Sequence, residues 1–180
     1  MKIYKFNENN ITTVARFMSE IRPEWWDYEG AFNQLSDIEE TIGTIGWFMG
    51  NDESHPKGWV LCRELKAYRS IELECCGYDD NGTFALEHKL KDLFDTVCEY
   101  ARGKGYLTFR TAMGSTQFSI HSRELGNIGD EIKNLKSFGR IDYDWLINYG
   151  FQVVGIQPHA LGENYHCILL TKDLAHEHNI

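Results

Sequence analysis

The chain is short of several things that would narrow its function at once. It holds only three prolines, Pro23, Pro56 and Pro158. Each falls where the pattern places a boundary or a loop, so none is expected to break an element. Its five cysteines, Cys62, Cys75, Cys76, Cys98 and Cys167, are odd in number and form no CxxC pair. That argues against a disulfide framework or a cysteine zinc site. Adjacent Cys75 and Cys76 point to opposite faces of a strand and do not grip one metal together. Buried thiols in a reducing compartment are the expectation. The seven histidines include no HxxxH or HExxH spacing, which removes the usual support for zinc.

Positive charge is also scarce, with 18 Lys and Arg against 27 Asp and Glu and a net charge of -9. An acidic surface repels phosphate backbones, so nucleic acid is not an expected partner. A cationic substrate such as an amine is favoured. No stretch reaches the length of a membrane span, and the opening MKIYKFNENN lacks an apolar signal core. The expected location is the cytoplasm, with no membrane partner.

What remains is an ordinary globular balance, 42% hydrophobic and 25% charged. A length of 180 residues suits a single domain spanning 1–180. Lys2 to Phe6 alternates as a short strand. Asn9 and Asn10 precede Ile11, Val14, Phe17, Met18 and Ile21, which is helical spacing behind an asparagine cap, stopped by Pro23. After Trp25, Trp26 and Tyr28, a second amphipathic stretch carries Phe32, Leu35, Ile38 and Ile42. Ser36 and Glu39 have capping-box spacing within it, so a helix start is expected there. Three strand-like runs follow, Thr44 to Met49, Gly58 to Leu65 and Ser70 to Gly77, with connections short enough for an antiparallel meander.

The clearest helix presents Leu86, Leu90, Leu93, Phe94, Val97 and Ala101 at steps of three and four, with Thr83 to cap it and Gly103 or Gly105 to end it. Tyr106 to Met113 reads as the next strand. A strand–helix–strand crossover of this kind makes its two strands parallel. Ile128, Ile132, Leu135 and Phe138 suggest a helix, and Asp142 to Tyr149 a short one stopped by Gly150. Phe151 to Gln157 and Tyr165 to Leu170 form the last two strands, joined by a loop containing Pro158 and Gly162. The order predicts an α/β (α+β) fold with a mixed central sheet of about seven strands flanked by helices.

This order resembles that of the GNAT (GCN5-related) N-acetyltransferases over nearly the whole chain. Ile71-Glu72-Leu73-Glu74-Cys75-Cys76, running through the loop at Gly82 into the long helix, looks like the family's acyl-CoA-binding unit. Trp145-Leu146-Ile147-Asn148-Tyr149-Gly150-Phe151 looks like the short helix and Gly-Phe before the family's final hairpin. The resemblance implies acetyl-CoA as cosubstrate. Its pantetheine and pyrophosphate would lie against Cys75, Cys76, Gly77, Asn81, Gly82, Thr83 and Phe84, using amides at a helix N-terminus. The loop Asp79-Asp80-Asn81-Gly82-Thr83-Phe84 departs from the family pattern, with Asp79 in place of Arg or Gln and Phe84 in place of a glycine. Extra acids beside a pyrophosphate cost on the order of 2–3 kcal/mol before screening.

Amine acetylation needs a base for the ammonium and an acid for the departing thiolate. Strict alternation puts Glu72, Glu74 and Cys76 on one face, where two carboxylates raise one another's proton affinity. Either is a candidate base, or both are solvent-facing acids. The family's acid position is Leu146 here, which leaves Tyr143 and Tyr149 as nearby phenols. Trp25, Trp26 and Tyr28, with Asp27 among them, suit a cationic amine or ordinary packing. Residues 114–140 are a long insertion that covers the acceptor site or packs. The expected function is acetyl transfer to a primary amine of a small molecule or peptide. The rivals are a non-catalytic ligand-binding module on the same fold, and a homodimer built on the final hairpin's edge.

Overall fold

The computed structural model describes residues 1–40, 43–79 and 90–175, with backbone alone over 37–40. The chain divides into two units, Met1–Tyr106 and Leu107–Ile180.

In the first unit, strands β1 (Lys2–Lys5), β2 (Thr44–Gly50), β3 (Pro56–Leu65) and β4 (Ser70–Tyr78) are antiparallel neighbours in that order. The expected meander is therefore present. Helices α1 (Ile11–Ile21) and α2 (Tyr28–Glu40) cover one face, where Val14, Met18 and Leu35 pack with Phe48, Trp59 and Leu61. Helix α3 (Lys91–Gly103) packs on β2 and β3, with Tyr100 edge-on to Trp47 at 5.2 Å. It ends in a Schellman turn. Gly105 takes φ 74°, its N–H donates to Arg102 O, and the Tyr106 N–H donates to Ala101 O.

Two helix starts differ from expectation. The Asn10 side chain does not cap α1. Its Oδ1 accepts from Asn7 N–H and its Nδ2 donates to Lys5 O, tying the end of β1 to the helix entry. No helix starts at Ser36, because α2 already runs through it. The start is set by Asp27, whose Oδ1 accepts from Gly30 N–H at 2.7 Å.

In the second unit, β5 (Thr108–Gly114), β7 (Tyr165–Asp173) and β6 (Gln152–Gly162) are antiparallel in the order β5-β7-β6. Pro158 lies inside β6 and not in a loop. Its missing N–H is tolerated because β6 is an edge strand, beyond a register shift after Gln157. Between β5 and β6 lie α4 (Ile128–Lys133), capped by the Asn127 side chain, and α5 (Ile141–Asn148). The helix expected to reach Phe138 is only 6 residues long, and Phe138 is exposed. The insertion is held by polar contacts. Arg123 pairs with Glu131, Arg140 pairs with Asp142, and buried His166 meets Arg123 O at 2.8 Å.

Candidate active site

Strand β4 carries the two candidate bases, and its backbone corrects the simple alternation. Leu61 stands opposite Cys75, but the next residue, Cys62, stands opposite Leu73. Glu74 is thus an extra residue, a β-bulge, and the side chains change face across it. Glu72, opposite Arg63, shares a face with Cys75, opposite Leu61. Cys76, opposite Val60, shares the other with Leu73, opposite Cys62. The expected grouping of Glu72 with Cys76 does not hold.

Sequence reading missed the partner of these acids. Arg63 on β3 is in register with Glu72 and forms an ion pair with Glu74. The signal was present: Arg63 interrupts the apolar run Trp59-Val60-Leu61-Cys62. The Glu74 side chain is only 21% exposed, so Arg63 meets it partly out of water.

The surroundings of Cys75 disfavour its thiolate. Burial pushes its thiol up to about 12, against a smaller downward pull from the Trp59 indole. Gly77 is small for a steric reason. A Cβ there would lie 2.2 Å from the Trp59 ring. That ring is contacted by Phe17 and by Trp26, the latter at 6.3 Å between centroids. Trp26 is therefore half-buried and continuous with the packing under Gly77. Trp25 is 53% exposed, edge-on to Trp26, with the Arg22 guanidinium 5.5 Å above its ring. Tyr28 is also exposed and packs beside Phe32.

At the end of β4, Asp79 pairs with Lys57 at 2.7 Å, and its N–H donates to Lys57 O. One acid that would oppose a pyrophosphate is thereby matched by a cation, and Asp79 holds the Lys57 pKa above its ordinary value. Asn81, Gly82, Thr83 and Phe84, with Asp80, lie outside the described residues, as does Leu86.

The candidate acids belong to the second unit. Tyr143 on α5 is half-buried, edge-on to Phe118 at 4.9 Å, and burial raises its phenol. Tyr149 is stacked on Trp145 at 5.1 Å. The Lys172 ammonium sits 4.8 Å over its ring and donates to its carbonyl, so Tyr149 is part of the packing. Leu146 is buried. Among the described residues no cluster of His, Cys, Asp or Glu is arranged to hold a metal, and no helix is long and apolar enough to cross a membrane.

No protein-family profile matches the sequence, and no curated protein matches it. Solved structures do match. The aminoglycoside 6'-N-acetyltransferase from Enterococcus faecium superposes with a TM-score of 0.81 at 15% identity, covering 97% of each chain. An aminoglycoside 6'-N-acetyltransferase complexed with coenzyme A gives 0.81 at 14% identity, again over 97% of each chain. The ribosomal-protein-S18-alanine N-acetyltransferase from Escherichia coli gives 0.61 at 8% identity, over 96% of this chain and 93% of that one. At such identities the likeness establishes the fold.

Proposed function

We propose that this chain, which has the GNAT fold, is an acyl-CoA-dependent N-acetyltransferase that acts on a primary amine of a small molecule or peptide. The observation that carries the reading is the bulged β4 with Glu72 and Glu74, in a fold shared with N-acetyltransferases over 97% of the chain. The bulge leaves the backbone groups of Glu74 out of the β3 ladder, so they are not spent on that neighbour. Backbone of this kind suits the amides of a pantetheine arm. Residues 75–77 and 81–84 are the proposed coenzyme contacts.

Bound acetyl-CoA supplies an activated acyl group. Glu72 is the proposed base. It takes a proton from the substrate ammonium, directly or through water, leaving the nitrogen lone pair free to attack the thioester carbon. Glu74, tied to Arg63, is a weaker candidate for the same role. The C–N bond forms, the C–S bond breaks, the nitrogen loses its second proton to water, and the departing thiolate takes up a proton from water. Trp25 and Tyr28, exposed and flanked by Asp27, are proposed to receive the cationic acceptor.

The test is acetyl-CoA turnover against a panel of primary amines, followed by thiol release. Turnover abolished by Glu72→Gln supports the reading. Absence of both turnover and acetyl-CoA binding in the wild type overturns it. A second reading, a ligand-binding module without catalysis, is favoured by Leu146 in the family's acid position and by the Arg63–Glu74 pair. Acetyl-CoA binding without turnover on any amine would select it.

A further inference from the structure

A separate site lies within the first unit at the opposite end of β4 from Tyr78. Glu64 is in register with Ile71, seven residues before Tyr78 and so roughly 20 Å away along the strand. Here the end of β1, the start of β2 and the end of β3 surround a cavity of about 330 Å³.

Three polar groups at this cavity have unspent bonding capacity. The Tyr100 and Tyr106 hydroxyls both donate to the same Glu64 oxygen, Oε1, at 2.8 and 2.9 Å. Among the described residues Oε2 has no such donor. Among the described residues the buried Ser36 hydroxyl has no hydrogen-bond partner, which is costly unless something fills the role. The Lys5 ammonium rests 5.9 Å from the Tyr100 ring centroid, with no carboxylate in ion-pair range among the described residues. The rest of the wall mixes apolar Phe6, Ile11, Leu35 and Ile45 with polar Asn7, Glu8 and Thr44.

We propose that this cavity binds a small monocationic amine with a short hydrocarbon tail. Lys5 and Glu8 bring opposite charges to the lining, so the net charge is that of Glu64. One ammonium balances it, donating to the open Oε2. The tail lies against the apolar part of the wall, and Ser36 gains a polar neighbour or a water held beside the ligand. A fatty-acid-like anion is opposed by the same charge. Glu64 follows Arg63, the residue in register with the proposed base Glu72, so alternation along β3 puts Glu64 on the opposite face of the sheet from Glu72, and the site needs no acyl donor.

The experiment uses hexylamine as probe, with hexanol and hexanoate as controls, in the absence of acetyl-CoA. Calorimetry and amide chemical shifts are read together. Hexylamine is expected to bind and to move the amides of Thr44, Gly46 and Leu35. Hexanoate is expected not to bind. Glu64→Gln keeps Oε1 as the acceptor for both tyrosines, so the fold is retained while affinity falls at least about tenfold. Ser36→Ala, which removes only the unpartnered hydroxyl, weakens binding severalfold without lowering the melting temperature. The proposal is overturned by equal binding of hexanoate, by affinity unchanged in Glu64→Gln, by no binding at millimolar hexylamine, or by shifts confined to Trp25–Tyr28 and Cys75–Tyr78. The last pattern would report an acceptor site only.

Discussion

Arg63 stands in register with Glu72 across the β3–β4 ladder, and its guanidinium ion-pairs with Glu74. Glu74 is engaged by that guanidinium at 21% side-chain exposure, which makes it less available as the base. Glu72→Gln is expected to lower kcat by roughly 10²–10⁴-fold, the usual contribution of a positioned base. Glu74→Gln is expected to cost less. Steady-state kinetics on the best amine of the panel decide the order, and equal losses would refute it.

Gly77 is a packing requirement as well as a proposed coenzyme contact. Gly77→Ala drives a methyl group into the Trp59 ring, and Trp59 is held by Phe17 and Trp26. Overpacking of this kind costs about 1–3 kcal/mol. Urea unfolding should show a lower midpoint with an unchanged slope. A midpoint equal to wild type would mean that the indole has room to move.

The Tyr106 phenol gives the fold an alkaline limit. Burial, then donation to Glu64, pushes it up to about 12 from an ordinary 10.0. Between those values the unfolded chain releases a proton that the folded chain retains. This contribution to stability is complete below pH 10 and is lost as pH rises toward 12. Tyr106→Phe removes the titration, so stability measured from pH 9 upward should fall less steeply in the variant.

Glu131 sets an acid limit by the opposite sign. The Arg123 guanidinium, then the Gly126 N–H, hold its carboxyl down to about 2 from an ordinary 4.5. The unfolded chain takes up a proton first as pH falls. The contribution is full above pH 4.5 and is lost on the way down to 2. Amide-exchange protection in residues 119–131, taken relative to the intrinsic rate at each pH, should fall over that window in the wild type and stay constant in Glu131→Gln.

Asp79 faces Lys57 at the mouth of the proposed coenzyme loop. Asp79→Asn frees that ammonium and removes one anion. Acetyl-CoA affinity is expected to rise by up to about tenfold, read by calorimetry at low and high salt. No change at low salt would place the pyrophosphate elsewhere.

Local chemistry alone settled the element order. Alternation marked β1, strand-like runs marked β2 to β4, helical spacing marked α1 and α3, and the pair Gly103 and Gly105 bracketed the end of α3, because these signals depend on near neighbours in the chain. Which face Glu72 shares, and with what, was decided only in the folded sheet. The bulge at Glu74 arises from pairing with β3, and a single inserted residue reverses every later side chain. The same holds for Asn10, drawn away from its helix by Lys5 O, and for Pro158, admitted to a strand because that strand is an edge. The ring of Trp59 under Gly77 and the two phenols on Glu64 join residues far apart in sequence, 18 positions in the first case and 36 and 42 in the second. No local pattern encodes such meetings, because they exist only once distant surfaces have been buried against each other.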